Sequence, residues 1–134
     1  EIVHKAAIVL NPKNANFYVG FALALLMNKK KGLATESLKE CLRINPNHTS
    51  ALQILGGLLI KEGKISDGIM LLEKDLNIYE EKDYGLNSGL IENLFNAYQQ
   101  IGQEEKGRSL IRTYVAKYPD DENMLRLSGK LGIR

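Results

Sequence analysis

Two prolines, Pro12 and Pro46, stand thirty-four residues apart. Each follows the same kind of dipeptide, Leu10-Asn11 before the first and Ile44-Asn45 before the second. Pro119 closes a later stretch in the setting Tyr118-Pro119-Asp120. Proline cannot continue a helix, and it restricts the residue before it. Between these stops the apolar residues recur at helical spacing. A fixed period of this size confines the chain to a repeat architecture, in which each unit buries its apolar face against its neighbours.

Reading along the chain, Glu1–Leu10 is predicted as a short helix, with Ile2, Val3, Ala6, Ala7, Val9 and Leu10 on its apolar positions. Asn14 is a fitting N-cap for a helix over about 15–28. Lys29-Lys30-Lys31-Gly32 then makes a turn into a helix over about 33–44. The pair recurs as helices over about 49–62 and from Ile65, with Gly63 between them at a natural helix end. It recurs again over about 88–101 and 104–117, with Gly102 at the turn. Asp120-Asp121-Glu122 places carboxylates at the positive end of a last helix, about 121–131. No segment shows sustained strand alternation, and the turns within each pair are short. Consecutive helices are therefore expected as antiparallel neighbours in an all-α chain.

Composition narrows the function classes. Apolar content of 44% and charged content of 25% are ordinary for a globular domain, and the formal net charge of +2 supplies no field that would draw nucleic acid. The longest apolar-and-glycine run, Phe17 to Met27, is too short for a bilayer span, so no membrane partner is expected. The single cysteine, Cys41, excludes an internal disulfide and suits a reducing, cytoplasmic setting. The chain starts at Glu1, inside an apolar-periodic segment, and is expected to be part of a longer protein.

Aligned, the three hairpins share one pattern. The first carries Tyr18, Phe21, Ala22 and Leu25, then Ala34 and Leu38, then Pro46. The second carries Leu52, Leu55, Gly56 and Leu59, then Gly68 and Leu72. The third carries Ile91, Leu94, Phe95 and Tyr98, then Gly107 and Ile111, then Pro119. This pattern resembles the tetratricopeptide repeat, a large residue, Leu-Gly and Tyr on one helix, then Ala and Phe on the next, then Pro. The resemblance implies a right-handed α-solenoid. It implies one domain: residues 1–12 end a preceding repeat, 13–46, 47–80 and 88–119 are repeats, 81–87 an insertion and 120–134 a capping helix. The chain departs from the pattern where Glu80 replaces a proline, where Asp75 takes the small slot held by Cys41, and where Phe95 replaces a small residue. An extension of the second hairpin's second helix by about one turn is expected there.

The helix after Asn14 carries more apolar residues than its inward stripe needs. Val19, Leu23 and Leu26 make a second stripe, and a helix apolar nearly all round must be covered on both sides. The resemblance implies that the first helix of each hairpin lines a concave groove. Asn16, Val19, Leu23 and Leu26, then Gln53, Gly57 and Ile60, then Glu92, Asn96 and Gln99 would face it. Such a groove suits a peptide or helix of a partner protein. A missing repeat or an identical chain covering the stripe is the competing account, and homo-oligomer formation through the terminal helices stays open. Family members that grip a terminal carboxylate use basic and amide residues at positions held here by Val19, Leu23, Ile54, Gly89 and Asn93, so no such clamp is expected.

No constellation points to catalysis or a cofactor. His4 and His48 stand apart from other ligating residues, so no metal site is expected. Cys41 occupies a packing slot, and Ser128-Gly129-Lys130 lacks the glycine spacing of a phosphate loop. Asn47-His48-Thr49 matches a glycosylation acceptor in a turn that calls for such residues anyway. Lys29, Lys30, Lys31, Lys39 and Arg43 form a basic corner with little aromatic interleaving. The expected function is a non-catalytic interaction scaffold. Self-assembly and a supporting role beside a catalytic domain elsewhere in a longer chain are the alternatives.

Overall fold

The structure, a computed structural model, describes residues 14–133. The predicted helix over Glu1–Leu10 and His4 lie outside the described residues. Seven helices follow one another among the described residues: α1 Ala15–Met27, α2 Lys31–Ile44, α3 Thr49–Lys61, α4 Ile65–Glu81, α5 Ser88–Gln100, α6 Glu104–Lys117 and α7 Glu122–Lys130. Each packs on the next in the chain, and α3 also touches α5 and α5 touches α7. Three antiparallel hairpins, α1–α2, α3–α4 and α5–α6, thus stack into an all-α solenoid with α7 against its end.

Local chemistry differs between the two helices of a hairpin. The first helices and α7 begin after an extended residue whose side chain accepts a hydrogen bond from the first turn. The caps are Asn14 to the Asn16 N–H, His48 to Ala51, Asn87 to Leu90 and Asp121 to Met124. The second helices, α2, α4 and α6, begin without a side-chain cap. Their starts are set instead by the tight turn before them. The N–H groups of Lys30, Lys64 and Gln103 donate to the carbonyls of Leu25, Leu59 and Tyr98, closing each preceding helix. That closure needs a left-handed residue, which is Gly63 (φ 88°) and Gly102 (φ 77°) in two cases and Lys29 (φ 61°) in the first. The predicted turn Lys29–Gly32 is therefore shorter than expected, and Gly32 belongs to α2.

The small slots of the repeat are helix crossings. A Cβ on Gly68 would lie 2.6 Å from the Gly56 carbonyl oxygen and 2.6 Å from Ile60 Cγ1. One on Gly56 would lie 2.9 Å from Leu72 Cδ2. The third hairpin reaches the same end differently: Phe95 fills the crossing, and a Cβ on Gly107 would meet its ring at 2.7 Å. Ala22, Ala34, Leu38 and Cys41 are fully buried in the first hairpin, where they join Ala51, Leu55 and Leu58 of the second. Burial pushes the Cys41 thiol up to about 11.

The join between the second and third hairpins lacks the proline, and α4 runs on to Glu81, three residues longer than α2 or α6. Asp83 in the left-handed region (φ 53°) ends it, with the Tyr84 N–H donating to the Tyr79 carbonyl. Side-chain bonds then hold the join. The Tyr98 hydroxyl donates to Glu73, and the Tyr114 hydroxyl donates to Glu80, the residue standing in the proline's place. Asn87 Nδ2 donates to Tyr79 Oη at 3.2 Å. Burial, and then the neighbouring carboxylate, raises the pKa of both Tyr98 and Tyr114, so these hydroxyls stay protonated donors.

Candidate functional site: a cleft between the first helices

A cleft of about 500 Å³ opens between α1, α3 and α5. Leu26 from α1 and Ile54, Gly57, Leu58 and Ile60 from α3 give it an apolar wall. Gln53 from α3 and Asn93, Asn96 and Gln100 from α5 give it amides, and Lys61 is the one cation on its lining. Gly57 has no side chain, and a Cβ built on it meets nothing within 4 Å. The wall therefore has a notch at its centre, open to a ligand side chain.

Five of the ten residues expected at a groove are brought together here: Leu26, Gln53, Gly57, Ile60 and Asn96. The other five are not among the cleft walls. Asn16 is turned away, its carboxamide oxygen 2.7 Å from His48 Nε2. Because His48 Nδ1 accepts from the Ala51 N–H at 3.3 Å, the Nε2 end carries the proton and donates to Asn16. Val19 is half-buried against the first hairpin's core, as is Leu26 in part, so the second apolar stripe of α1 is partly accounted for by packing. Leu23 stays 47% exposed. On α5 the cleft is faced by Asn93, Asn96 and Gln100 rather than Glu92, Asn96 and Gln99. In the aligned repeats these positions match Ile54, Gly57 and Lys61, which also line the cleft, so α3 and α5 present the same stripe.

Sequence reasoning also placed Phe21 in the inward stripe of α1. Instead it lines a separate apolar hollow of about 440 Å³ with Asn14, Asn16, Phe17, Gly20 and Ala24. Phe17 is 43% exposed there. At about 100° per residue Phe17, Phe21 and Ala24 fall on the side of α1 opposite Val19, Leu23 and Leu26. Ile54, Leu58, Lys61, Asn93 and Gln100 are the cleft residues outside the expected set. A spacing of i, i+3 and i+7 on α5 would have found the last two.

No helix among the described residues is long and apolar enough to cross a membrane. No group of His, Cys, Asp and Glu among them could hold a metal ion.

No protein-family model matches the chain, and no curated protein matches it in sequence. Solved structures do. The N-terminal domain of stress-induced protein-1 from C. elegans is similar at a TM-score of 0.73, with 14% identity, over 88% of this chain and 94% of that one. PilF of Pseudomonas aeruginosa is similar at 0.71, with 17% identity, over 94% of this chain and 57% of that one. A thermophilic TPR protein of Thermus thermophilus is similar at 0.71, with 16% identity, over 96% of this chain and 70% of that one. The chain has the tetratricopeptide-repeat fold. In the terms of that fold, the cleft lies on the first helices of successive repeats.

Proposed function

We propose that this tetratricopeptide-repeat domain is a non-catalytic interaction module whose cleft between α1, α3 and α5 binds an extended peptide segment of a partner protein. The observation that carries this is the pairing of an apolar, notched wall with four side-chain amides on one cleft. An extended peptide offers unpaired N–H and C=O groups along its length, and Asn and Gln side chains can answer both. A helix has already satisfied those groups internally, so the amides favour the extended form. The notch at Gly57 takes one apolar side chain of the ligand.

Gly57 supplies the test. Replacing it by leucine places a side chain into the cleft from a position with free space, and leucine is the better helix former by up to about 1 kcal/mol. Wild-type protein should enrich binding peptides from a random-peptide display library, and Gly57→Leu should lose them while keeping its helical circular dichroism and melting temperature. Peptides that bind both proteins equally would remove the cleft from the account.

The second account, self-assembly on identical chains or further repeats, rests on the hollow around Phe17 on the opposite side of α1. Light scattering over a concentration series distinguishes it. A mass that rises with concentration for wild type and not for Phe17→Asp would favour assembly, and a constant monomer mass would count against it.

A further inference from the structure

The stretch 82–87 between α4 and α5 carries Tyr84 to a fixed place. Left-handed backbone on both sides of it, at Asp83 (φ 53°) and Gly85 (φ 87°), turns the chain sharply there. The Tyr84 N–H donates to the Tyr79 carbonyl at 2.9 Å. The two rings meet edge to face, with centroids 5.6 Å apart and planes at 90°. Tyr79 is itself anchored, its Oη accepting from Asn87 Nδ2 at 3.2 Å. Whichever ring presents its edge, Tyr79 leaves at least one face of the Tyr84 ring uncovered, and Tyr84 is 59% exposed.

That ring borders a hollow of about 380 Å³ whose other walls are Asn16 from α1 and Asn45, Asn47, His48 and Thr49 from the turn into α3. The cleft between α1, α3 and α5 uses none of these residues. None of them is charged, His48 being neutral because its Nδ1 accepts from the Ala51 N–H. A phosphate or carboxylate would meet no cation on this lining, and an ammonium group no carboxylate. Two of the amides are partly committed. Asn16 Oδ1 accepts from His48 Nε2 at 2.7 Å, and Asn45 Oδ1 accepts from the Asn47 N–H at 3.2 Å. What Asn16 and Asn45 have left to offer is their NH2 ends, which donate. Asn47, Thr49 and Tyr84 add a carboxamide and two hydroxyls, which both donate and accept. A ligand matched to this lining is neutral, carries groups that accept and donate around its rim, and has an apolar face for the ring. A pyranose sugar has that combination, since its hydroxyls form the rim and its C–H bonds pack on an aromatic face. A nucleotide base would stack as well, but its phosphates would lack a cation. We propose that this hollow is a saccharide-binding site, separate from the peptide cleft, with Tyr84 as the stacking platform and Asn16, Asn45, Asn47 and Thr49 as partners of the hydroxyls. The volume lies toward the small end of ligand sites, which run from about 300 to 1,000 Å³, so the site takes a single ring or the end of a sugar chain. On this account the added length between the second and third hairpins serves to bring an aromatic ring back to the turn between the first and second.

Saturation-transfer nuclear magnetic resonance on the chain tests this with glucose, galactose, mannose, N-acetylglucosamine and the disaccharides maltose, cellobiose and chitobiose, each at millimolar concentration. At least one should receive saturation, strongest at the C–H protons of one face of the ring, and should shift the side-chain amide signals of Asn45 and Asn47. Tyr84→Ala should weaken that sugar about tenfold with the helical circular dichroism retained. Tyr84→Phe keeps the ring face and should bind with little change, which separates stacking from the hydroxyl's contribution. Asn47→Ala should weaken the sugar several-fold. Gly57→Leu should bind it as wild type does, so the saccharide site and the peptide cleft can fail separately. The absence of saturation transfer to every sugar of the panel would overturn the proposal. So would equal binding by Tyr84→Ala, or binding of adenosine at this hollow in place of any sugar.

Discussion

Replacing Asp75 by alanine should stabilise the protein, and the gain should depend on pH. Burial pushes the Asp75 carboxyl up to about 6, with Gln53 opposing the rise. Against about 3.9 in an unfolded chain, that elevation is worth at most about 3 kcal/mol above the folded pKa. The penalty for a buried polar group left without partners is about 1–3 kcal/mol by mutational measures, which agrees. Two smaller effects accompany the substitution. The space left by the carboxyl costs about 1 kcal/mol, and alanine's better helix propensity returns about 0.5 kcal/mol. The expected net gain at neutral pH is about 1–2 kcal/mol, or about 4–8 °C in melting temperature for a domain of this size. The sign of the pH dependence follows from the raised pKa. Between about pH 4 and 6 the folded wild type keeps a proton that the unfolded chain has released, so wild-type stability from this group falls as pH rises through that window. The variant lacks the group. Its advantage should be smallest below about pH 4, open between about pH 4 and 6, and stay level above about pH 7. Urea unfolding of both proteins at intervals across that range gives the difference directly, and other titrating groups cancel in it. A difference that is flat with pH, or a loss of stability at neutral pH, would refute the reasoning.

Other substitutions probe the fold more simply. Gly68→Ala should lower unfolding free energy in urea by about 2–3 kcal/mol, because its Cβ would meet the Gly56 backbone carbonyl, which cannot yield. Lys29→Gly should raise the melting temperature by the equivalent of about 1 kcal/mol, since Lys29 holds the left-handed position that glycine holds in the other two hairpins. Asn87→Ala should cost about 1–2 kcal/mol in thermal unfolding by removing both the cap on Leu90 and the bond to Tyr79. Cys41, fully buried and with its thiol pushed up to about 11, should react with a thiol reagent only after denaturant is added.

The helices were legible because their punctuation is local. Asn14 caps, Gly63 and Gly102 close, and Pro46 and Pro119 break, each acting within a few residues of itself, while the caps at Asn87 and Asp121 emerge only in the structure. The crossing slots were legible as small residues, since two helices cannot approach without them. The cleft was legible only in part. Which positions of a helix reach a cleft depends on how its neighbours cross it, and no single-helix pattern records that. Asn16 was misplaced for a similar reason. Its partner, His48, lies thirty-two residues away in sequence, and only the stacking of one hairpin on the next brings them together. The role of Lys29 was hidden because a lysine in the left-handed region carries no compositional mark. Asp75 stood out as a departure from the repeat, but its full burial without a hydrogen-bond partner is a property of the packed structure.

The central claim is that the cleft between α1, α3 and α5 is where a partner peptide binds. The most direct measurement is a backbone and side-chain chemical-shift map of the wild-type chain titrated with a library-selected peptide. The account predicts that the largest shifts fall on Leu26, Gln53, Ile54, Gly57 and Asn96, and that the same peptide leaves the Gly57→Leu spectrum unchanged. Shifts centred on Phe17, Gly20 and Ala24 instead, surviving in Gly57→Leu, would contradict it.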